Sequence, residues 1–462
     1  MNLPFFHQTA TGNATQLGTI GTIPMSMFAA IVGILASIGA LLFRKLIAVL
    51  HNLLFLGQFS FFYNENSHTP MSIWGIGIIL VPTLASLIVM GLIEKFASDQ
   101  KGLSVPAVMY AVFYKDGKIK TSVALAKIVA SAITIGSGGS VGREGPVFQI
   151  GATLSSIISD FTNLSPCERK ILIAAGICAC TSAIFHAPIS GIFFAIEILL
   201  IPLTFFPIFL LIISTVLASI TTYLLSDFSP IFSIYKITQL MPMMKLETII
   251  FTLCLGICIG LLATIFIKGI YLFEDSLNIA IKNSYLRHFG SMFIVGLMLY
   301  TTSRLFGHYY IEGIGFATIQ DCLSDQLTDS SLLLILVLGK LVATCLTLGS
   351  GASGGVFSPA LFMGATLGNA FGIILNYYIP TLGIHPVVFT ILGMSAMLGS
   401  TTGALLTSII LVTEMIQNLH FTFPIIIIVI IAYVTRRCLC RDNVYTLKLR
   451  RNGVNFYRQF YN

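Results

Sequence analysis

Five stretches of this chain, residues 25–43, 73–93, 192–225, 249–267 and 423–434, are almost uninterrupted apolar sequence, with Glu197 the one acid among them. Segments of that length bury their backbone polar groups only as helices when the surroundings are hydrocarbon. A β-barrel would instead show segments of about ten residues with alternating polarity, and these runs are continuous. Composition agrees: 56% of the residues are hydrophobic, 9% are charged and mean hydropathy is +0.93. A soluble domain carries roughly a quarter charged residues. The expected fold class is therefore an all-α polytopic membrane protein in a lipid bilayer.

No Lys or Arg occurs before Arg44, so there is no basic n-region and a removable signal peptide is not expected. Arg44 and Lys45 lie inside LLFRKLIAVLHNLLFL, which reads as one helix running past them, so they leave the side of the N-terminus open. Between Arg436 and Arg458 there are seven basic residues against one acid, Asp442. A basic segment directly after a span is a topology signal rather than a nucleic-acid tail, and it predicts a cytoplasmic C-terminus. Most of the nine cysteines sit in apolar runs, where cysteine acts as a small hydrophobe. Cys438 and Cys440 lack the second pair that a zinc site needs. No disulfide framework, metal or cofactor is expected.

Shifted by 213 residues, the chain matches itself. LAKIVASAITIGSGGSVGREGPVFQIGATL (125–154) aligns without gaps on LGKLVATCLTLGSGASGGVFSPALFMGATL (338–367), with fifteen of thirty positions identical. The identities include Lys127 with Lys340, GSG with GSG and Pro146 with Pro359, which shared hydrophobicity alone does not produce. PISGIFFAIE (188–197) pairs with LLTSIILVTE (405–414) at nearly the same shift. The predicted organisation is an N-terminal segment 1–24, a first membrane repeat 25–225, a linker 226–244, a second repeat 245–435 and a basic tail 436–462.

Twofold repeats interrupted by Gly and Pro at matching places point to a transporter whose site lies where helices break. Glycines let successive N–H groups converge, and a helix starting near the proline adds the positive end of its dipole. Such a cradle can hold a dehydrated anion without a full counter-charge that would trap it. GSGGSVGREGP (136–146) lacks the GK[ST] ending of a phosphate loop, and GSGASG (349–354) has no βαβ surroundings, so nucleotide binding is not expected. A cation-coupled transporter would need more acids or carbonyl-rich breaks than one acid per motif. An intramembrane enzyme would need a paired nucleophile, and His186, near small polar residues in an apolar run, reads as a helix-end histidine.

GREGP (142–146), GVFSP (355–359) and the paired GSG segments resemble the CLC family of chloride channels and chloride/proton exchangers. FHAPISGIFFAIE (185–197), ILVTEM (410–415) and RDNVYTLKL (441–449) extend the likeness over about residues 25–450. The resemblance implies a CLC-type fold of about eighteen helices in two inverted-topology repeats, and a homodimer with a pore in each subunit. By position, Glu144 is similar to the family's gating glutamate, whose carboxylate plugs an anion site and leaves when protonated. The bland alternative is a structural Arg143–Glu144 pair. The resemblance further places anion-binding groups at Gly142, Arg143, Gly145, Gly355, Val356, Phe357 and Tyr445, the last on the tail as an inner-gate tyrosine. Lys127 and Lys340 either lend positive potential to the pore or cap carbonyls within the fold. Glu197 and Glu414 are expected to hold helix ends.

Two departures stand out. The family's GSGIP motif is here KGLSVPAV (101–108), with Leu103 in place of the motif serine and Ser104 as the nearest hydroxyl that could bind the anion. Chloride is the expected anion, with nitrate, bromide and fluoride left open. Secondly, Ile198 stands where exchangers of the family commonly carry an inner glutamate, although some work without it. Passive chloride conductance is therefore the expected mode, with chloride/proton exchange as the alternative. Asn462 lies 17 residues after Tyr445, so a nucleotide-binding regulatory domain is not expected in this chain.

Overall fold

The structure, a computed structural model, describes residues 20–98, 101–226, 231–234 and 246–454. Most of segment 1–24 and of linker 226–244, and the end of the tail, lie outside these residues. Secondary structure is helical throughout the described residues. In chain order the helices are α1 (Thr22–His51), α2 (Leu80–Phe96), α3 (Ser104–Tyr114), α4 (Thr121–Gly136), α5 (Glu144–Phe161), α6 (Pro166–Phe185), α7 (Pro188–Leu199) and α8 (Phe205–Leu225). There follow α9 (Leu246–Ala280), α10 (Ser284–Phe306), α11 (Phe316–Leu323), α12 (Ser330–Gly349), α13 (Phe357–Tyr378), α14 (Pro386–Thr402), α15 (Leu405–Ile416), α16 (Thr422–Leu439) and α17 (Val444–Arg451).

The order of α1–α8 recurs in α9–α16, and so does the packing. Helix α5 lies on α6 as α13 lies on α14, and α1 meets α8 as α9 meets α16. Glycine permits the first pair. A Cβ on Gly151 would stand 2.2 Å from the Gly176 carbonyl oxygen, and one on Gly364 would stand 2.2 Å from that of Gly393. Such small-residue contacts let helix backbones approach where no hydrophobic effect pulls helices together.

Local sequence sets the helix ends. Ser165 and Glu168 close a capping box over Pro166 at the start of α6. His186 ends that helix in the left-handed conformation, as a helix-end residue, and Pro188 begins the next. The run 192–225 does not form one helix. It divides between α7 and α8, because Leu200 turns left-handed (φ 50°) and Pro202 withdraws a donor just beyond it. The apolar segment around Arg44 does continue, through α1 and a π-helical turn at Asn52–Leu56. Helix α16 continues to Leu439, beyond the 435/436 boundary, and Arg436 is buried against the carbonyls of Ser400 and Cys440.

Among the described residues, eight helices or helical stretches are long and apolar enough to cross a membrane. Among them α8 presents most of its surface outward, whereas 78% of the apolar window of α13 is enclosed by protein. Helices α3, α4, α7, α14 and α15 are shorter. Chain that leaves the helix at such depth is tolerated only when protein surrounds it or it lines a polar cavity, and the glycine motifs occupy these interruptions.

Candidate functional site

Three of the motifs begin helices in the same way. Ser104 opens α3, Glu144 opens α5 and Phe357 opens α13, each with proline at the third position: Pro106, Pro146 and Pro359. The first N–H groups of a helix have no intrahelical acceptor, so proline costs little there, while the remaining amides point outward with the positive end of the dipole.

The two glycine loops meet. Gly142 N–H donates to the Gly355 carbonyl at 2.7 Å, and Gly355 N–H donates to the Gly142 carbonyl at 2.8 Å. The amides of Gly142 and Gly355, both expected among the anion-binding groups, are here engaged with each other.

The Glu144 carboxylate crosses this junction to the start of α13. It accepts from the Ser358 hydroxyl, and from Ser358 N–H at 3.4 Å. A Cβ on Gly142 would lie 2.1 Å from Glu144 Oε2, so only glycine leaves room for the carboxylate. A negative group thus sits on the N-terminus of a helix from the other repeat, with Gly145 against the Gly354–Gly355 backbone. Val356 precedes α13, and Phe357 opens it. The Phe357 ring is fixed by Phe185 at 5.3 Å and Phe194 at 5.7 Å, giving this side an apolar wall.

Arg143 does not pair with Glu144. Its buried guanidinium binds the carboxylate of Glu65 and lies over the Phe316 ring at 5.1 Å. The ion pair of this side chain is with Glu65, so the bland Arg143–Glu144 pair is not formed.

Tyr445 is buried on α17, which Asn443 caps through Tyr445 N–H at 2.9 Å and Thr446 N–H at 2.8 Å. Helix α17 packs on α3 and α14. Ser104 is buried, and its hydroxyl has no hydrogen-bond partner among the described residues. Leu103, in the place of the family serine, supplies a carbonyl to Lys127 Nζ at 3.3 Å. Lys340 Nζ binds the carbonyls of Ile311 (3.0 Å) and Gly313 (2.7 Å). Both amino groups therefore cap carbonyls.

Ile198 is buried on α7. Its neighbour Glu197 accepts from Leu406 N–H and Thr407 N–H, each at 2.9 Å, at the start of α15. Glu414 reciprocates at α7, accepting from Ile189 N–H at 3.0 Å and Ser190 N–H at 2.8 Å.

Three polar contributors escaped sequence reasoning. Ser358 lies within the GVFSP motif itself, and the signal was its hydroxyl at the position after Phe357. Glu65 is the one acid in the connection between α1 and α2. Glu312 lies beside a GIG turn, accepts from the Thr69 hydroxyl, and has its carboxyl pushed up to about 7 by burial, against the lowering effects of Thr69 and Lys340.

A family model described as voltage gated chloride channel matches residues 85–437. An H(+)/Cl(-) exchange transporter ClcA from Vibrio parahaemolyticus is 30% identical over 392 residues, 83% of this chain and 81% of that protein. One from Yersinia pseudotuberculosis is 30% identical over 78% of this chain and 74% of its own length. Among solved structures, a slow cyanobacterial Cl-/H+ antiporter superposes with a TM-score of 0.79 at 22% identity, covering 93% of this chain and 97% of that one. A CLC-type fluoride/proton antiporter gives a TM-score of 0.72 at 21% identity, covering 92% and 97%.

Proposed function

The chain belongs to the voltage-gated chloride channel family, and from that premise we propose that this integral membrane protein exchanges chloride for protons. The observation that carries the reading is the Glu144 carboxylate on the N-terminus of α13, held by Ser358. A removable acid that occupies an anion seat does two things. It blocks the seat while charged, and it takes up a proton when it leaves. Anion and proton then compete for one group, which is the elementary requirement for coupling their movements.

Passive conductance, expected from Ile198, gives way to this alternative. The curated relatives of 30% identity are named H(+)/Cl(-) exchange transporters. Ile198 removes one carboxylate from a proton route, but the proton-carrying group at the seat remains in place. Coupling is a property of the whole route rather than of that position.

The anion path reads as Tyr445 and Ser104 on one side, the amides of Val356 and Phe357 in the middle and the Glu144 seat beyond them. The buried Ser104 hydroxyl supports a local substitution for the missing motif serine, and chloride is the anion proposed. The division into repeats 25–225 and 245–435 draws support from the reciprocal contacts of Gly142 with Gly355 and of Glu197 and Glu414 with α15 and α7. A homodimer, a bacterial inner-membrane location and a cytoplasmic C-terminus complete the proposal, resting on the family resemblance and the basic tail.

The test is flux from proteoliposomes with simultaneous chloride and proton readout. A chloride gradient should drive protons uphill. Chloride movement without proton movement would return the reading to passive conductance.

A further inference from the structure

Between α1 and α2 the chain folds back as a strap, residues 57–74, onto the α10–α11 connection, α11 and Arg143 of the first glycine loop. His68 Nε2 lies 2.6 Å from Asp321 Oδ2, the Thr69 hydroxyl donates to Glu312, and Ser72 N–H donates to the Tyr309 hydroxyl at 3.2 Å. The strap thereby delivers Glu65 to a buried position, where both carboxylate oxygens accept from Arg143. Arg44, on α1, lies 3.4 Å from the same carboxylate and is partly exposed. His51, Tyr63 and Glu312 line, with Glu65 and Arg143, a small cavity of about 10 Å³.

Arg143 immediately precedes Glu144. Its guanidinium is 2% exposed, and its Nε–H has no acceptor among the described residues. A buried, permanently charged group one residue from the carboxylate that occupies the seat acts through a low dielectric and deepens the seat. Transport requires the reverse, a site that an anion leaves readily. Glu65 is the carboxylate that offsets this charge and holds the guanidinium away from the Glu144 carboxylate.

We propose that Glu65 is a positioning residue for anion exchange: it fixes Arg143 and cancels its charge, so that the seat at the start of α13 releases its anion. The inference rests on the reading of that seat as an anion site. Glu65, Arg143 and Arg44 together hold two positive charges and one negative. Glu65→Gln raises the net charge of the group by one unit, Arg44→Gln lowers it by one, and the double variant restores it.

Chloride affinity is measured by calorimetry on purified protein, and flux kinetics on proteoliposomes, for wild type, E65Q, E65D, R44Q and R44Q/E65Q. E65Q should bind chloride more tightly, on the order of tenfold for one uncompensated charge nearby, with a lower half-saturating concentration and a lower maximal flux. E65D, which keeps the charge, should stay near wild type. R44Q should bind chloride more weakly, and the double variant should return toward wild type. A purely structural role for Glu65 would depress flux without tightening binding, and that result overturns the proposal. If E65Q does not elute as folded protein, unchanged chloride affinity in R44Q overturns it instead. Failure of the underlying reading looks different, because wild type itself would then show no saturable chloride binding.

Discussion

Gly142 and Gly355 exchange both of their backbone hydrogen bonds as an isolated antiparallel bridge. They are equivalent residues of the two repeats, 213 positions apart. Equivalent residues that pair antiparallel and reciprocally lie on a local twofold axis, which is how inverted repeats meet. The symmetry breaks over the next two residues. Where the first repeat continues to Glu144, the second has Phe357 in register, so a carboxylate from one half reaches a helix N-terminus of the other.

Replacing that carboxylate tests the gate directly. Glu144→Gln mimics the protonated form and can carry no proton. Chloride flux should persist while its dependence on pH flattens and proton transport disappears. A variant whose flux responds to pH as wild type does, measured in paired chloride and proton assays, would remove Glu144 from the gate.

Ser358 holds the seated carboxylate through a hydrogen bond to a charged acceptor, a class of bond that contributes about 1.5–3 kcal/mol. Ser358→Ala withdraws that bond from the charged, seated form alone. Flux at neutral pH should rise, and its pH midpoint should move about one unit alkaline, since one unit corresponds to about 1.4 kcal/mol. Ser358→Thr keeps the hydroxyl and should lie between alanine and wild type.

Tyr445, the proposed anion ligand, is buried on α17, which its own cap and the contact with α3 hold in place. Tyr445→Ala should weaken chloride binding, read by calorimetry, by roughly the tenfold that one lost hydrogen bond of about 1 kcal/mol or somewhat more represents. Tyr445→Phe separates the hydroxyl from the ring: equal affinities for phenylalanine and wild type would exclude the hydroxyl as a ligand.

Glu197 and Glu414 each bind the start of the helix that carries the other. Glu197→Gln or Glu414→Gln turns one charge-assisted acceptor at a helix start into a neutral amide. Each should lower thermal stability in detergent, by about 1.5–3 kcal/mol for a lost bond of this kind, while chloride affinity in the folded protein stays at its wild-type value. A shift in affinity comparable to that of Tyr445→Ala would move these acids into the site.

Much of the site was legible in the chain itself. Continuous apolar runs leave helices in a bilayer as the only architecture that satisfies the backbone. A gapless self-match at a shift of 213 aligns Gly142 with Gly355, Glu144 with Phe357 and Lys127 with Lys340 before any coordinates are known. Those features are visible because they repeat, either along a segment or between the two halves. What breaks the repeat was decided only by tertiary structure. Ser358 meets Glu144 across 214 residues, and Arg143 meets Glu65 across 78. No periodicity records such pairs, since each is a local polar contact between segments far apart in the sequence. The commitment of the Gly142 and Gly355 amides to each other is likewise a fact of how the halves close, because free and paired N–H groups have the same sequence.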